Sequence, residues 1–171
     1  MEEISKLIRN VPDFPKPGII FKDITTLLSN PEGFKKTVDA LAEPFVDKGV
    51  DYVVGIEARG FIFAAVLAYK LGAGLTIVRK PGKLPYKTVE KTYDLEYGTD
   101  TVQMHEDAFA KGDNVLIVDD LLATGGTVQA VTQMVREVGA NIVACAFVIE
   151  LDFLNGREKL EGQDIHTLIH Y

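Results

Sequence analysis

The sequence predicts an α/β fold, a mostly parallel twisted sheet flanked by helices, and three observations lead there. Four apolar runs, at 52–56, 75–78, 115–118 and 142–149, are continuous rather than alternating, as in strands buried on both faces. Segments of helical spacing stand between them; Val128, Val131, Val135 and Val138 are the clearest. Three of the runs end in charged residues followed by small ones, at the strand ends where open α/β sheets bind ligands.

Taken in order, residues 2–10 read as a short amphipathic helix with Ile4, Leu7 and Ile8 on one face. Pro12, Pro15 and Pro17 then argue against regular structure over 11–18. Ile19, Ile20, Phe21, Lys22 and Asp23 follow; on composition alone they make a loop pinned to a core. Asn30 before Pro31 is a helix start, a cap followed by a first-turn proline. Phe34, Val38, Leu41 and Phe45 carry its buried face as far as Pro44 allows. Gly49 stops that helix, and the strand Tyr52–Ile56 leads into Glu57, Ala58, Arg59, Gly60 and Phe61. An arginine at such a turn can fork onto phosphate oxygens; the weaker alternative is a surface arginine in a salt bridge. The next helix stops at Gly72. The strand at 75–78 ends in Arg79, Lys80 and Lys83, a local concentration of cations in an acidic chain.

Residues 86–107 change character. Thr88, Glu90, Thr92, Asp94 and Glu96 alternate with Val89, Tyr93, Leu95 and Tyr97, and a turn at Gly98 precedes Thr101, Val102, Gln103 and Met104. This reads as an extended ribbon placed where a lid would lie. Asn114 opens the central strand, which Asp119 and Asp120 end. The loop Ala123, Thr124, Gly125, Gly126 and Thr127 follows, and its helix runs to Gly139. A turn at Asn155 and Gly156 and a short closing strand at 165–169 complete a single domain of 171 residues.

The loop at 123–127 has a chemical use for each part. Adjacent glycines let backbone approach closely, and successive N–H groups at a helix start cradle a phosphate. Thr124 and Thr127 add hydroxyl donors. Asp119 and Asp120 only accept, which suits a ligand rich in hydroxyls such as a ribose. Gly126 stands where a P-loop needs lysine, and adjacent glycines do not fit the dinucleotide fingerprint. The bland alternative is a tight turn with acids at its rim.

Composition sets limits. The net charge is −7, which argues against broad nucleic-acid binding. No apolar run reaches the ~18 residues of a membrane span. Cys145 is the single cysteine, so no internal disulfide forms and a reducing cytoplasm is the expected setting. His105, His166 and His170 show no ligand spacing and read as structural or surface residues.

The stretch VLIVDDLLATGGT resembles the phosphoribosyl-pyrophosphate (PRPP) signature of the type I phosphoribosyltransferases. With FPKPGIIFKDIT, GIEARGF, VRKPGKLP and YDLEYG in the same order, the chain is similar to the adenine phosphoribosyltransferase family from about Val11 to Leu160. That resemblance implies the type I fold with a small N-terminal base-binding hood at about 11–30 and a flexible lid at 86–107. It implies PRPP and adenine as substrates, AMP and pyrophosphate as products, Mg2+ bound mainly through PRPP, and a homodimer serving purine salvage. It also implies site residues. Ala123, Thr124, Gly125, Gly126 and Thr127 would hold the 5′-phosphate, and Asp119 and Asp120 the ribose hydroxyls. Arg59, Arg79, Lys80 and Lys83 would meet the pyrophosphate, some of them across the dimer interface. Ile20, Phe21 and Lys22 would frame the adenine, and Glu96 would handle a proton on the base. No residue is assigned as a direct metal ligand.

Two positions depart from the family pattern. Lys22 stands where some members carry arginine, which removes a bidentate contact, and Tyr86 stands where a small or basic residue is expected. Transferases for 6-oxopurines carry a carboxylate at the position of Ala123, so that alternative is disfavoured here. A second alternative, a PRPP-sensing regulator without catalysis, would attach a helical DNA-binding domain, for which the short N-terminal segment leaves no room. Its retained Glu96 and cation cluster favour an enzyme.

Overall fold

The computed structural model describes residues 1–94 and 98–171. The chain divides into two compact units, Met1–Ala40 and Leu41–Tyr171.

In the first unit the helix α1 covers only Glu2–Ser5, and Arg9–Pro12 is a strand, β1, not the end of a longer helix. It pairs antiparallel with β2, Ile20–Asp23, in the register Arg9 to Asp23 and Val11 to Phe21. Pairing between segments thus overrides the local helical spacing of Ile4, Leu7 and Ile8. Pro12 is tolerated at the end of a two-stranded ribbon, where a missing N–H costs little. The connecting turn needs a positive φ at Gly18, whose N–H donates to Asp13 Oδ1 at 2.7 Å. After the short helix α2, Thr25–Leu28, comes α3, Pro31–Ala42, which runs across the division between the units. Its cap is the expected one: the Gly33 N–H donates to Asn30 Oδ1 at 2.8 Å. A 3-10 turn at Glu43–Phe45 absorbs Pro44.

The second unit is built on a five-stranded sheet of β3 (Tyr52–Ile56), β4 (Gly74–Val78), β7 (Asn114–Leu122), β8 (Asn141–Glu150) and β9 (Ile165–His170). Its order is β4-β3-β7-β8-β9, and every neighbouring pair is parallel. Val53, Val54, Val115, Leu116, Ile117, Val118, Cys145 and Phe147 have essentially no exposed surface, as continuous apolar runs in a parallel sheet require. The helix α4, Gly60–Leu71, buries Phe63, Ala64 and Leu67, and Gly72 ends it in the left-handed conformation. The helix α5, Gly126–Val138, buries Val128, Val131, Met134 and Val135. The ribbon expected over 86–107 contains β5, Thr88–Asp94, and β6, Thr99–His105, paired antiparallel. Arg79 ties it to the end of β4: its N–H donates to the Gln103 carbonyl at 2.9 Å, and Gln103 returns the bond at 2.8 Å.

One boundary moves. Asp119 and Asp120 do not end the central strand; β7 continues to Leu122, because Leu121 and Leu122 still pair with Ile149 and Glu150 of β8. Both acids are therefore strand residues rather than loop residues.

Candidate active site

The carboxyl ends of β3, β4 and β7 meet at one rim of the sheet. From β7, Asp120 is 4% exposed, and its Oδ2 lies 2.7 Å from an Nη of Arg59 at the end of β3. Asp119 is half-buried and accepts the Asp120 N–H on Oδ1 at 2.8 Å. Burial pushes the Asp119 carboxyl well above the usual range, and the neighbouring Asp120 charge pushes it the same way. Burial raises Asp120 too, against the opposing pull of Arg59. Their negative charge is costly in this buried setting, and Arg59 offsets part of that cost at Asp120. Gly60, the first residue of α4, makes room for them. A methyl group there would sit 2.7 Å from Asp119 Oδ1 and 3.0 Å from the Val118 carbonyl oxygen.

Directly after β7, residues 123–127 curl around a cavity of ≈ 70 Å³ lined by Asp119, Leu122, Thr124, Gly125, Gly126 and Thr127 among others. Gly125, with φ 78°, turns the chain into α5. The first N–H groups of that helix have no partners within it and open onto this pocket. The size and the donors suit one compact anion. The Thr127 hydroxyl is turned toward Tyr93 of β5, to which it donates at 3.0 Å.

The cations at the end of β4 are gathered around an acid that the sequence reading passed over. Glu57 Oε2 accepts the Lys80 N–H at 2.9 Å and lies 3.4 Å from Arg79 Nε, and Lys83 Nζ is bonded to Oε1. Burial would raise the Glu57 carboxyl, but the Lys83 ammonium, the Lys80 N–H and Arg79 outweigh it and hold it at about 2. The Lys80 ammonium is bonded to Asp100 of β6, lies 3.4 Å from the Tyr93 hydroxyl and sits over that ring at 5.8 Å. Arg79 and Lys83 thus converge on Glu57, while the Lys80 ammonium turns to Asp100 and Arg59 pairs with Asp120. Each of the four is paired with a carboxylate, so an arriving polyanion would exchange one partner for another rather than meet bare charge.

Ile20, Phe21 and Lys22 lie together on β2 in the Met1–Ala40 unit. Phe21 meets Phe14 edge to face with centroids 5.1 Å apart, and Lys22 Nζ donates to Asn10 Oδ1 at 2.9 Å. Ile20 is 57% exposed. Glu96 lies outside the described residues. Glu57, Tyr93 and Asp100 belong to the site's charge network, and only Glu57 left a local trace, as the acid two residues before Arg59.

Residues 23–167 match the family described as "Phosphoribosyl transferase domain". The adenine phosphoribosyltransferase of Syntrophotalea carbinolica is 58% identical over 171 residues, the full length of both chains. Among solved structures, the adenine phosphoribosyltransferase of Rhodothermus marinus is 51% identical with a TM-score of 0.95, covering 99% of this chain and 97% of that one. The Saccharomyces cerevisiae enzyme, solved with an imino-altritol bisphosphate and adenine, is 43% identical with a TM-score of 0.92, covering 98% and 97%.

Proposed function

We propose a reaction for this site from one premise: the chain belongs to the adenine phosphoribosyltransferase family of the type I phosphoribosyltransferases. The protein transfers the 5-phosphoribosyl group of PRPP to adenine and releases AMP and pyrophosphate, a step of purine salvage. The observation that carries the reading is the seam of β7 and α5, where the carboxylate of Asp119, next to Asp120, and residues 123–127 line one small cavity at a helix start.

On this reading the amides and hydroxyls of Ala123, Thr124, Gly125, Gly126 and Thr127 bind the 5′-phosphate, aided by roughly 0.3–1 kcal/mol from the helix dipole. Asp119 and Asp120 take the ribose hydroxyls. Their raised proton affinity in the ligand-free protein means that donors arriving there gain more than they would at exposed carboxylates. Loss of diphosphate leaves positive charge on the ribose ring, as in glycoside cleavage, and the two acids place negative charge beside it. Arg59, Arg79, Lys80 and Lys83 take the departing diphosphate, releasing Glu57, Asp100 and Asp120 from their present pairs. Mg2+ bound through PRPP would supply neutralisation of part of the diphosphate charge, and Asp119 and Asp120 are hard oxygen donors that would fit such an ion through its water or the ribose hydroxyls.

Ile20, Phe21 and Lys22, in a hood at 11–30, frame the base, with Phe21 stacking and the Ile20 backbone reading its edge. Glu96, in a lid at 86–107, moves the proton on the imidazole side of adenine. The working form is a homodimer, in support of which Tyr69 and Ile62 of α4 and Leu75 of the edge strand β4 are exposed apolar side chains. A cytoplasmic setting fits the lone thiol of Cys145, buried in β8. Among the described residues, no helix is long and apolar enough to cross a membrane.

The test is a panel of bases. Pyrophosphate release from PRPP is followed with adenine, hypoxanthine, guanine, xanthine and uracil, and adenine turns over fastest because Ala123 offers no carboxylate to a 6-oxopurine. Faster turnover of hypoxanthine or guanine would overturn the assignment.

A further inference from the structure

Within the Leu41–Tyr171 unit, one ion pair on the far side of the phosphate loop has no part in the reaction as described. Glu150, the last residue of β8, is 3% exposed. Arg157 forks onto it, with Nε 2.6 Å from Oε1 and an Nη 2.7 Å from Oε2. The same Nη donates to Thr167 Oγ1 at 3.0 Å. His170 stands beside them, its Nδ1 2.9 Å from Asp152 and 3.7 Å from Glu150. Glu150, Asp152 and His170 lie close enough together to ligate a cation. Both Glu150 oxygens are already taken by a guanidinium, however, and its charge opposes an ion there.

The segment between Glu150 and Arg157 leads back to the loop. The Leu151 N–H donates to the Leu122 carbonyl at 3.0 Å, at the residue where β7 gives way to the loop. The 3-10 turns Asp152–Leu154 and Gly156–Leu160 then bring Gly156 onto the loop backbone. A methyl group on Gly156 would sit 2.2 Å from the Ala123 carbonyl oxygen, and one on Gly125 would sit 2.4 Å from the Gly156 carbonyl oxygen. The two backbones lie against each other with no space for a side chain on either.

We propose that the pair of Glu150 and Arg157 positions the 5′-phosphate loop: it closes residues 150–157 into a ring that seats Gly156 against Ala123 and Gly125. Arg157 is a positioning residue, since it acts on the amides of the loop through Gly156. The proposal rests on the reading that residues 123–127 hold the 5′-phosphate. Glu150 is buried but Arg157 is 44% exposed, and an ion pair open to solvent on one side adds little net stability. What a two-pronged guanidinium on a carboxylate does supply is a fixed direction, and here the direction sets where the segment returns.

The experiment compares three variants of the full chain, with ribose 5-phosphate as the binding probe and steady-state kinetics as the second readout. The double variant Glu150→Leu with Arg157→Met removes both charges together and leaves no buried orphan. Its affinity for ribose 5-phosphate and its KM for PRPP should each worsen about tenfold while the KM for adenine stays within about twofold. Arg157→Lys keeps a cation on Glu150, and so the fold, but loses the fork; it should show a smaller loss in the same direction. Thr124→Ala, at an exposed position in the loop itself, reports on the loop reading. Ribose 5-phosphate binding weakened by Thr124→Ala but untouched by Arg157→Lys would overturn the positioning role, whether or not the double variant folds. Binding untouched by Thr124→Ala would overturn the loop reading instead.

Discussion

The guanidinium of Arg59 lies 2.7 Å from the carboxylate of Asp120, which joins the turn after β3 to the end of β7. Asp120 is the more deeply buried partner, and the arginine is left partly open to solvent. Asp119→Asn and Asp120→Asn should each weaken PRPP by roughly ten- to a hundredfold, since hydrogen bonds to charged groups contribute about 1.5–3 kcal/mol. Adenine binding should hardly move. Titration of both substrates against each variant, with melting temperatures alongside, checks this; equal weakening of both would reduce the acids to a structural part.

Glu57 gives a pH dependence with a definite sign. Its carboxyl titrates at about 2 in the folded protein against an ordinary 4.5. Between those values the unfolded chain binds the extra proton, so stability falls as pH falls. The contribution is complete above about 4.5 and gone below about 2. Glu57→Gln should flatten the plot of urea midpoint against pH in that window. A slope equal to the parent's would take Glu57 out of the acid transition.

Gly60→Ala tests the close approach behind Asp119. Alanine is ordinarily the better helix former, by roughly 1 kcal/mol. At this position its methyl group would press on Asp119 Oδ1 and the Val118 carbonyl, and overpacking of that kind costs about 1–3 kcal/mol. The KM for PRPP should rise several-fold and the melting temperature fall. A variant more stable than the parent, with the same KM, would mean that the strand end yields easily.

Glu96→Gln keeps shape and hydrogen-bonding reach and removes the titrating proton. If Glu96 serves the base, kcat should fall by roughly two orders of magnitude, as loss of a general acid–base group does. Stability should stay within about 0.5 kcal/mol. Pre-steady-state turnover is the measurement to make, because slow product release can mask a chemical defect. Chemistry at the parent rate in the Gln variant would dismiss the residue.

The parallel sheet was legible because strands buried on both faces must be apolar at every position, and 52–56, 115–118 and 142–149 are. The loop at 123–127 was legible because its demands are local: two glycines, two threonines and a helix start within a few residues. Pairings distant in sequence were not. The strand Arg9–Pro12 follows three apolar residues at helical spacing, and only its partner Ile20–Asp23 makes it extended. The continuation of β7 through Asp119 and Asp120 depends on the edge that β8 presents to it. Glu57 with Lys83, Lys80 with Asp100 and Glu150 with Arg157 are ordinary charged residues until the fold brings them together.

The place of β7 in the middle of the sheet also governs how the chain must come together. β3 pairs with β4 on one side through a short helical crossover, but on the other side Tyr52 waits for Val115. During synthesis β3 therefore emerges long before its second neighbour, and its inner edge carries unpaired N–H and carbonyl groups on a fully apolar strand. Such an edge is a template for any other extended chain. A nascent chain stalled before Asn114 has no native way to cover it, so aggregation during translation should begin there and ease as β7, and then β8 on its far edge, leave the ribosome. The strand that carries Asp119 and Asp120 is thus also the one whose arrival covers the inner edge of β3.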